Sequence, residues 1–247
     1  MQVTPAITAE NLEVRHGNTV ALSGVDLRVQ GGASLAVIGP NGSGKSTLLA
    51  ALAGTVVPSA GSARVAGPAP ALVLQATDVD KSLPITVRDT VSLARYPTVG
   101  LFRRFRPADR DLIDRALTRM AIEDLAPRQL HDLSGGQRQR VLVAQGLAQE
   151  SDVLLLDEPV NGLDLVSRAV ILDVIDEEIA SGRTVVMTTH DLDDARRCQQ
   201  VLLLDTTPVA IGTPAAVLTE EHLRRAFSGQ FIRIGDKVIV DDPHHTH

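Results

Sequence analysis

An apolar run, Ser34-Leu-Ala-Val-Ile38, leads directly into Gly39-Pro-Asn-Gly-Ser-Gly-Lys-Ser-Thr47, and few folds accept that join. The run reads as a buried strand. Ser46 to Ala53, rich in leucine and alanine, reads as the helix that leaves the loop and stops near Gly54. Free positions separate Gly39 from Gly44, and Lys45 and Ser46 follow, as in a phosphate-binding loop between strand and helix. Gly39, Gly42 and Gly44 let the backbone curl until successive N–H groups face a phosphate, at a helix N-terminus that already favours anions. Lys45 adds a mobile positive charge, and the Ser46 hydroxyl is a candidate Mg²⁺ ligand. Pro40, Asn41, Ser43 and Thr47 complete the loop and the candidate contacts to a nucleoside triphosphate.

Val153-Leu-Leu-Leu-Asp-Glu-Pro159 is a second apolar strand, ending in two carboxylates. A buried strand tip beside the loop lets Asp157 hold Mg²⁺, directly or through water, while a water activated at Glu158 attacks a γ-phosphate in line. Leu133-Ser-Gly-Gly-Gln-Arg-Gln-Arg140 opens a helix running to Gln149, and its small residues expose N–H groups at a positive helix end.

In this order and spacing the three strings resemble the ATP-binding-cassette (ABC) ATPases, and the resemblance covers nearly the whole chain. It implies ATP and Mg²⁺ as cofactors, ATP hydrolysis as the activity and Glu158 as the catalytic base. One chain cannot easily aim two helix ends at one γ-phosphate from opposite sides. The family closes head-to-tail dimers, which implies that Ser134, Gly135, Gly136 and Gln137 of one copy complete the loop site of a second copy. Gln75, after the strand Ala71-Leu-Val-Leu-Gln75, matches the family's Q-loop glutamine, which touches Mg²⁺ or the attacking water. His190, after Thr184-Val-Val-Met-Thr-Thr189, matches the switch histidine that contacts the γ-phosphate. Asn161-Gly-Leu-Asp164 matches the D-loop. The adenine-stacking aromatic of the family falls here at His16, which either stacks with less surface than tyrosine or is an ordinary surface histidine.

Around these motifs, strand-like segments (7–15 and 20–29) precede the loop, and a helical block, with helices at 87–95, 108–120 and 136–149, separates Gln75 from Val153. Strand, helix, strand, helix and strand then follow to Leu204, and two short helices and a hairpin are expected over 212–240. Strands alternating with helices imply a parallel sheet with crossover helices. The expected fold class is α/β, a P-loop NTPase cassette with a mostly parallel core sheet, an N-terminal antiparallel β-subdomain and an inserted α-helical subdomain. It is expected as one domain over 1–247, with the helical part at about 76–150 and a C-terminal extension at about 212–247.

The net charge of −6 argues against nucleic acid as a partner. No apolar run is long enough to span a bilayer, the N-terminus lacks the features of a signal peptide, and a single cysteine, Cys198, fits a reducing compartment. The chain is therefore expected in the cytoplasm, peripheral on the inner face of the membrane if it serves a transporter. Of one tyrosine and four phenylalanines, three lie with four arginines in Arg95-Tyr-Pro-Thr-Val-Gly-Leu-Phe-Arg-Arg-Phe-Arg106. That segment is either the contact for a membrane permease, as its place after Gln75 implies in the family, or a solvated face with a few buried rings. Leu83 to Val91, Arg95-Tyr96, Phe102 to Arg104, Ala108 to Arg110, Cys198 to Leu204 and Val209 to Leu218 are similar to ATPases of manganese/zinc-type importers, which implies an extracytoplasmic metal-binding protein as an indirect partner. Siderophore, haem and cobalamin importers share parts of these strings and are the alternative, with a soluble ABC ATPase behind them. The tail Asp241-Asp-Pro-His-His-Thr-His247 is either a weak metal site or a disordered end.

Overall fold

The computed structural model describes residues 5–76, 84–100, 103–227, 231–234 and 237–240. The tail over 241–247 and Phe102 lie outside the described residues. Strands β1 (Pro5–His16) and β2 (Thr19–Gln30) form an antiparallel hairpin. Alternate side chains point to one face, where Ile7, Ala9, Leu12 and Val14 are buried with Leu22, Val25, Leu27 and Val29. A bulge preserves that alternation: Glu10 and Asn11 are both exposed, Asn11 sits at φ 43°, and its N–H donates to Asp26 at 2.8 Å.

Next come β3 (Ser34–Ile38), buried throughout, and α1 (Lys45–Leu52). β4 (Ala60–Val65) then pairs antiparallel with β1 and completes a three-stranded sheet in the order β2-β1-β4. The sequence reading has no strand there, because Ala-Gly-Ser-Ala-Arg-Val carries no apolar alternation. It is an edge strand held by backbone pairing rather than by burial.

β5 (Ala71–Val73) enters the main sheet. Helices α2 (Val87–Ser92), α3 (Tyr96–Val99), α4 (Pro107–Arg119) and α5 (Gly135–Ala148) follow before β6 (Val153–Leu156). Then come α6 (Leu165–Ala180), β7 (Thr184–Thr189), α7 (Leu192–Ala195) and β8 (Gln200–Asp205). β9 (Thr207–Gly212), α8 (Pro214–Val217), α9 (Glu220–Ala226) and the hairpin β10 (Phe231–Ile234) and β11 (Lys237–Val240) close the chain. The main sheet runs β5-β6-β7-β3-β8-β9, parallel except for β9. β9 also escaped the sequence reading, since Pro208 interrupts a short edge strand.

Both faces of the sheet are covered. Ala36, Ile38, Leu154 and Leu156 face the helices that follow β5 and α6, whereas Leu35, Val37, Val153 and Leu155 face β1, β2 and α1. This two-sided burial is why the parallel strands read as continuous apolar runs.

Within the Arg95 to Arg106 segment, two of the residues expected at an interface are structural instead. Arg95 is 6% exposed; its guanidinium donates to Asp109 at 3.0 and 3.1 Å and to the Ala148 carbonyl at the end of α5 at 3.0 Å. Phe105 is half-buried against the helical core, with its ring centroid 5.1 Å from that of Tyr96. Burying a guanidinium is affordable here because a carboxylate and orphan helix carbonyls receive it. Arg103, Arg104 and Arg106 are exposed.

Candidate active site

The parallel strands β5, β6, β7 and β3 all end on the same edge of the sheet, and the candidate residues follow those ends. After β3 the chain turns through Gly39 to Gly44 into α1. A Cβ on Gly39 would meet the Leu204 carbonyl oxygen at 2.0 Å, and one on Gly44 would meet the Ala21 carbonyl oxygen at 2.4 Å. The loop is therefore wedged between the end of β8 and the start of β2, so Gly39 and Gly44 are required by space, whereas Gly42 has open space and a φ of 80°. Gly44 also takes φ 96° as the residue before α1.

Lys45 is 6% exposed, with its ammonium on the carbonyls of Gly39 at 2.8 Å and Pro40 at 3.1 Å and 3.9 Å from the Glu158 carboxylate. Ser46 is exposed, and Ser43, 1% exposed, has a hydroxyl without a hydrogen-bond partner among the described residues. A buried, unpartnered hydroxyl inside a loop of curled backbone beside a lysine suits a phosphate ligand.

The two carboxylates after β6 are organised by the neighbouring strand β7. The Thr188 hydroxyl, fully buried, donates to Asp157 Oδ1 at 2.7 Å and accepts the Glu158 N–H at 2.8 Å. Glu158 has φ 45°, a left-handed backbone that a glutamate adopts only under constraint. Its Oε2 accepts from Asn161 Nδ2 at 2.8 Å. Glu158, Asn161 and the exposed His190 line one cavity of about 60 Å³. Directly after His190, Asp191 caps α7 and accepts from Arg168 at 3.1 Å, and the same guanidinium reaches Asp194 at 2.7 Å. Burial, then the nearby Asp191 charge, pushes the Asp194 carboxyl above the usual carboxylate range despite Arg168.

Gln75 is exposed just beyond the end of β5. His16 is exposed beside the β1–β2 turn, paired with Thr19. The α5 N-terminus has other neighbours. Ser134 and Gln137 form a reciprocal cap: the Ser134 hydroxyl accepts the Gln137 N–H at 3.2 Å, and Gln137 Oε1 accepts the Ser134 N–H at 3.0 Å. A Cβ on Gly136 would meet Asp164 Oδ2 at 2.4 Å and Ser167 Oγ at 2.5 Å, whereas one on Gly135 would meet nothing within 4 Å. The loop before α1 thus packs against β8, β2 and Glu158, and the N-terminus of α5 packs against that of α6.

Sequence reasoning missed Thr188, Arg168 and Asp194. Thr188 had a faint signal, a hydroxyl at the tip of an otherwise apolar strand. Arg168 and Asp194 had none, because their meeting depends on how α6 lies on α7. Cys198 is 3% exposed, and burial pushes its thiol up to about 12, so it takes no part as a thiolate at neutral pH.

A strand–loop–helix of the phosphate-binding kind, a carboxylate pair after β6, one strand removed from β3, and a parallel sheet with a helical stretch between β5 and β6 define a P-loop ATPase cassette. The sequence profile of the ABC transporter family matches residues 22–161, and this chain belongs to that family of ATP-hydrolysing proteins. It is 33% identical over 243 residues to the manganese transport system ATP-binding protein MntB of Bacillus subtilis, covering 95% of this chain and 97% of the relative. It is 35% identical to the zinc transport system ATP-binding protein TroB of Treponema pallidum, with 91% of this chain and 88% of the relative covered. It is 37% identical to the "Probable siderophore transport system ATP-binding protein YusV" of Bacillus subtilis, with 90% and 86% covered. Among solved structures, an inward-facing transporter assigned to the metal-chelate type superposes with a TM-score of 0.82 at 29% identity, covering 95% of both chains. The dimeric bacterial ABC transporter cassette MJ0796 superposes at 0.73 and 25% identity, covering 84% of this chain and 98% of that one.

Proposed function

We propose that this chain is the ATPase subunit of an importer that takes up a divalent transition metal, zinc or manganese, through a separate membrane permease. The cluster of Lys45, Asp157, Glu158, Thr188 and His190 carries the hydrolytic part of this reading. Relatives named for manganese and zinc transport, similar over nine-tenths of the chain or more, support the cargo. Among the described residues, no helix is long and apolar enough to cross a membrane, which fits a permease on a separate chain.

In this reading the loop backbone of 39–47 and Lys45 hold the β- and γ-phosphates of ATP. Ser46, Asp157 and Gln75 offer a hydroxyl, a carboxylate and an amide oxygen, a hard all-oxygen set that suits Mg²⁺ shared with phosphate oxygens. Mg²⁺ held by these residues would supply positive charge against the phosphates. Glu158, its carboxylate oriented by Asn161 and its backbone by Thr188, takes the proton of the attacking water. His190 donates to the γ-phosphate across the shared cavity. His16 lies against the adenine. Ser134, Gly135, Gly136 and Gln137 serve the loop of a second copy, for which the dimeric form of the similar cassette is a precedent.

The permease contact falls near Tyr96 to Arg106, where Arg103 and Arg104 are exposed, together with Leu74 (56% exposed) and Leu93 (45% exposed) nearby in the chain. A siderophore as cargo is the second reading, favoured by the similarity to YusV.

Two measurements test the proposal. Glu158→Gln should bind ATP with unchanged affinity while turnover falls about 10²-fold or more, the usual loss when a positioned base is removed; near-normal hydrolysis would sink the assignment. A strain lacking the chain should lose cell-associated zinc or manganese by elemental analysis and regain growth when that metal is supplied in excess. Normal zinc and manganese with failed siderophore uptake would favour the second reading.

A further inference from the structure

Gln139 lies on α5 beyond Ser134–Gln137 and is 1% exposed. Its Oε1 accepts the Ala76 N–H at 2.6 Å, and its Nε2 faces the Leu74 carbonyl at 3.4 Å. Those two backbone groups belong to the residues on either side of Gln75. The partners fix which way the amide points, since its oxygen meets a donor and its nitrogen an acceptor. Gln75 sits past the end of β5, where the sheet no longer dictates the path of the chain. A single buried side chain therefore brackets the backbone of a candidate site residue and ties it to the same end of the helix that is proposed to serve the second copy.

We infer that Gln139 is a positioning residue that makes Gln75 and α5 one rigid piece, so that closure of the dimer at Ser134–Gln137 is felt at Gln75 in the same chain. The inference rests on the proposed role of Gln75. Gln139 touches no reacting atom; it acts by aiming the Gln75 amide. An aliphatic side chain of similar size would fill the same space without holding the backbone on either side.

The test uses the full chain, steady-state ATP hydrolysis with Mg²⁺ and thermal melts in parallel. Gln139→Leu should lower kcat about tenfold, the size of coupling expected between contacting residues, while KM for ATP stays within about twofold. Gln75→Ala and the double variant decide how the loss arises. If Gln139 works through Gln75, adding Gln139→Leu to Gln75→Ala costs nothing further. Gln139→Glu adds a readout that packing alone would not move. Its carboxylate can accept from Ala76 but repels the Leu74 carbonyl, and protonation restores a donor, so its kcat relative to wild type should rise as pH falls. This arm also decides the matter if Gln139→Leu does not fold. A wild-type kcat in Gln139→Leu beside a slow Gln75→Ala overturns the inference alone, as do multiplying losses in the double variant. A wild-type rate in Gln75→Ala overturns the role of Gln75 and the inference with it.

Discussion

Thr188 shows how much of the site is decided by a residue that no catalytic motif contains. Its hydroxyl donates to Asp157 and receives the Glu158 N–H, so one buried atom fixes the carboxylate proposed for the metal and the backbone of the proposed base. Thr188→Val keeps the shape, strips both bonds and leaves a buried N–H unsatisfied, at a cost of about 1–3 kcal/mol of stability. With Glu158 already strained at φ 45°, the larger effect is expected on turnover. The kcat of Thr188→Val should fall about tenfold or more, with ATP affinity preserved because Lys45 and the loop are untouched; a wild-type kcat would contradict the positioning role. At this scale, the residues proposed to meet phosphate and the two carboxylates after β6 stood out in the sequence, because such chemistry calls for a fixed local string. Thr188, Arg168 and Gln139 were not. Each works through a partner at least 23 positions away along the chain, and only the packing of strands and helices brings those partners together.

Between elements, the contact of α5 with α6 leaves no room at Gly136 and ample room at Gly135. Gly136→Ala should force Asp164 and Ser167 apart and destabilise the fold by about 1–3 kcal/mol, the range for overpacking. Gly135→Ala should change stability by no more than about 0.5 kcal/mol. Urea unfolding of both variants separates them, and equal midpoints would refute the contact. A second joint, between α4 and α6, predicts pH behaviour. Burial alone pushes the Glu178 carboxyl up, but hydrogen bonds from Arg183 and Arg119 and their charges outweigh it and hold the group below its ordinary value of 4.5. Because the folded value is depressed, this stabilisation is fully present above pH 4.5 and disappears as pH falls through the lowered value. Glu178→Gln should therefore cost about 2 kcal/mol at pH 7, less than a fully buried pair because Arg119 is partly exposed. The difference from wild type should shrink in strong acid; a constant difference would contradict the linkage. The long apolar strands and the helices around them were readable from periodicity. β4 and β9 were not, since edge strands are selected by backbone partners and carry little apolar pattern.

On the scale of the whole molecule, the two helix ends proposed to face phosphate contact different neighbours within one chain, which is the arrangement expected if each active site is shared by two copies. Gly135→Asp fits the open space beside Gly135, so the fold and nucleotide binding of the isolated chain should survive. Its carboxylate should repel the γ-phosphate presented by the partner and abolish turnover. Mixed with Lys45→Ala chains, it should recover part of the hydrolysis, since one of the two sites in the mixed dimer carries neither lesion; loss of ATP binding by Gly135→Asp alone would contradict the shared site. The joints of Gly136 with Asp164 and Ser167, and of Gln139 with Leu74 and Ala76, also bear on how freely such a protein can be recombined. The helical stretch after residue 76 and before β6 looks like a removable cassette in the linear chain, yet the start of its last helix is keyed on two sides to residues outside it. A chimera that swaps this stretch alone for that of a relative would inherit two mismatched locks. One that carries residues 74–76 and the first turn of α6 along with it would exchange a self-consistent unit.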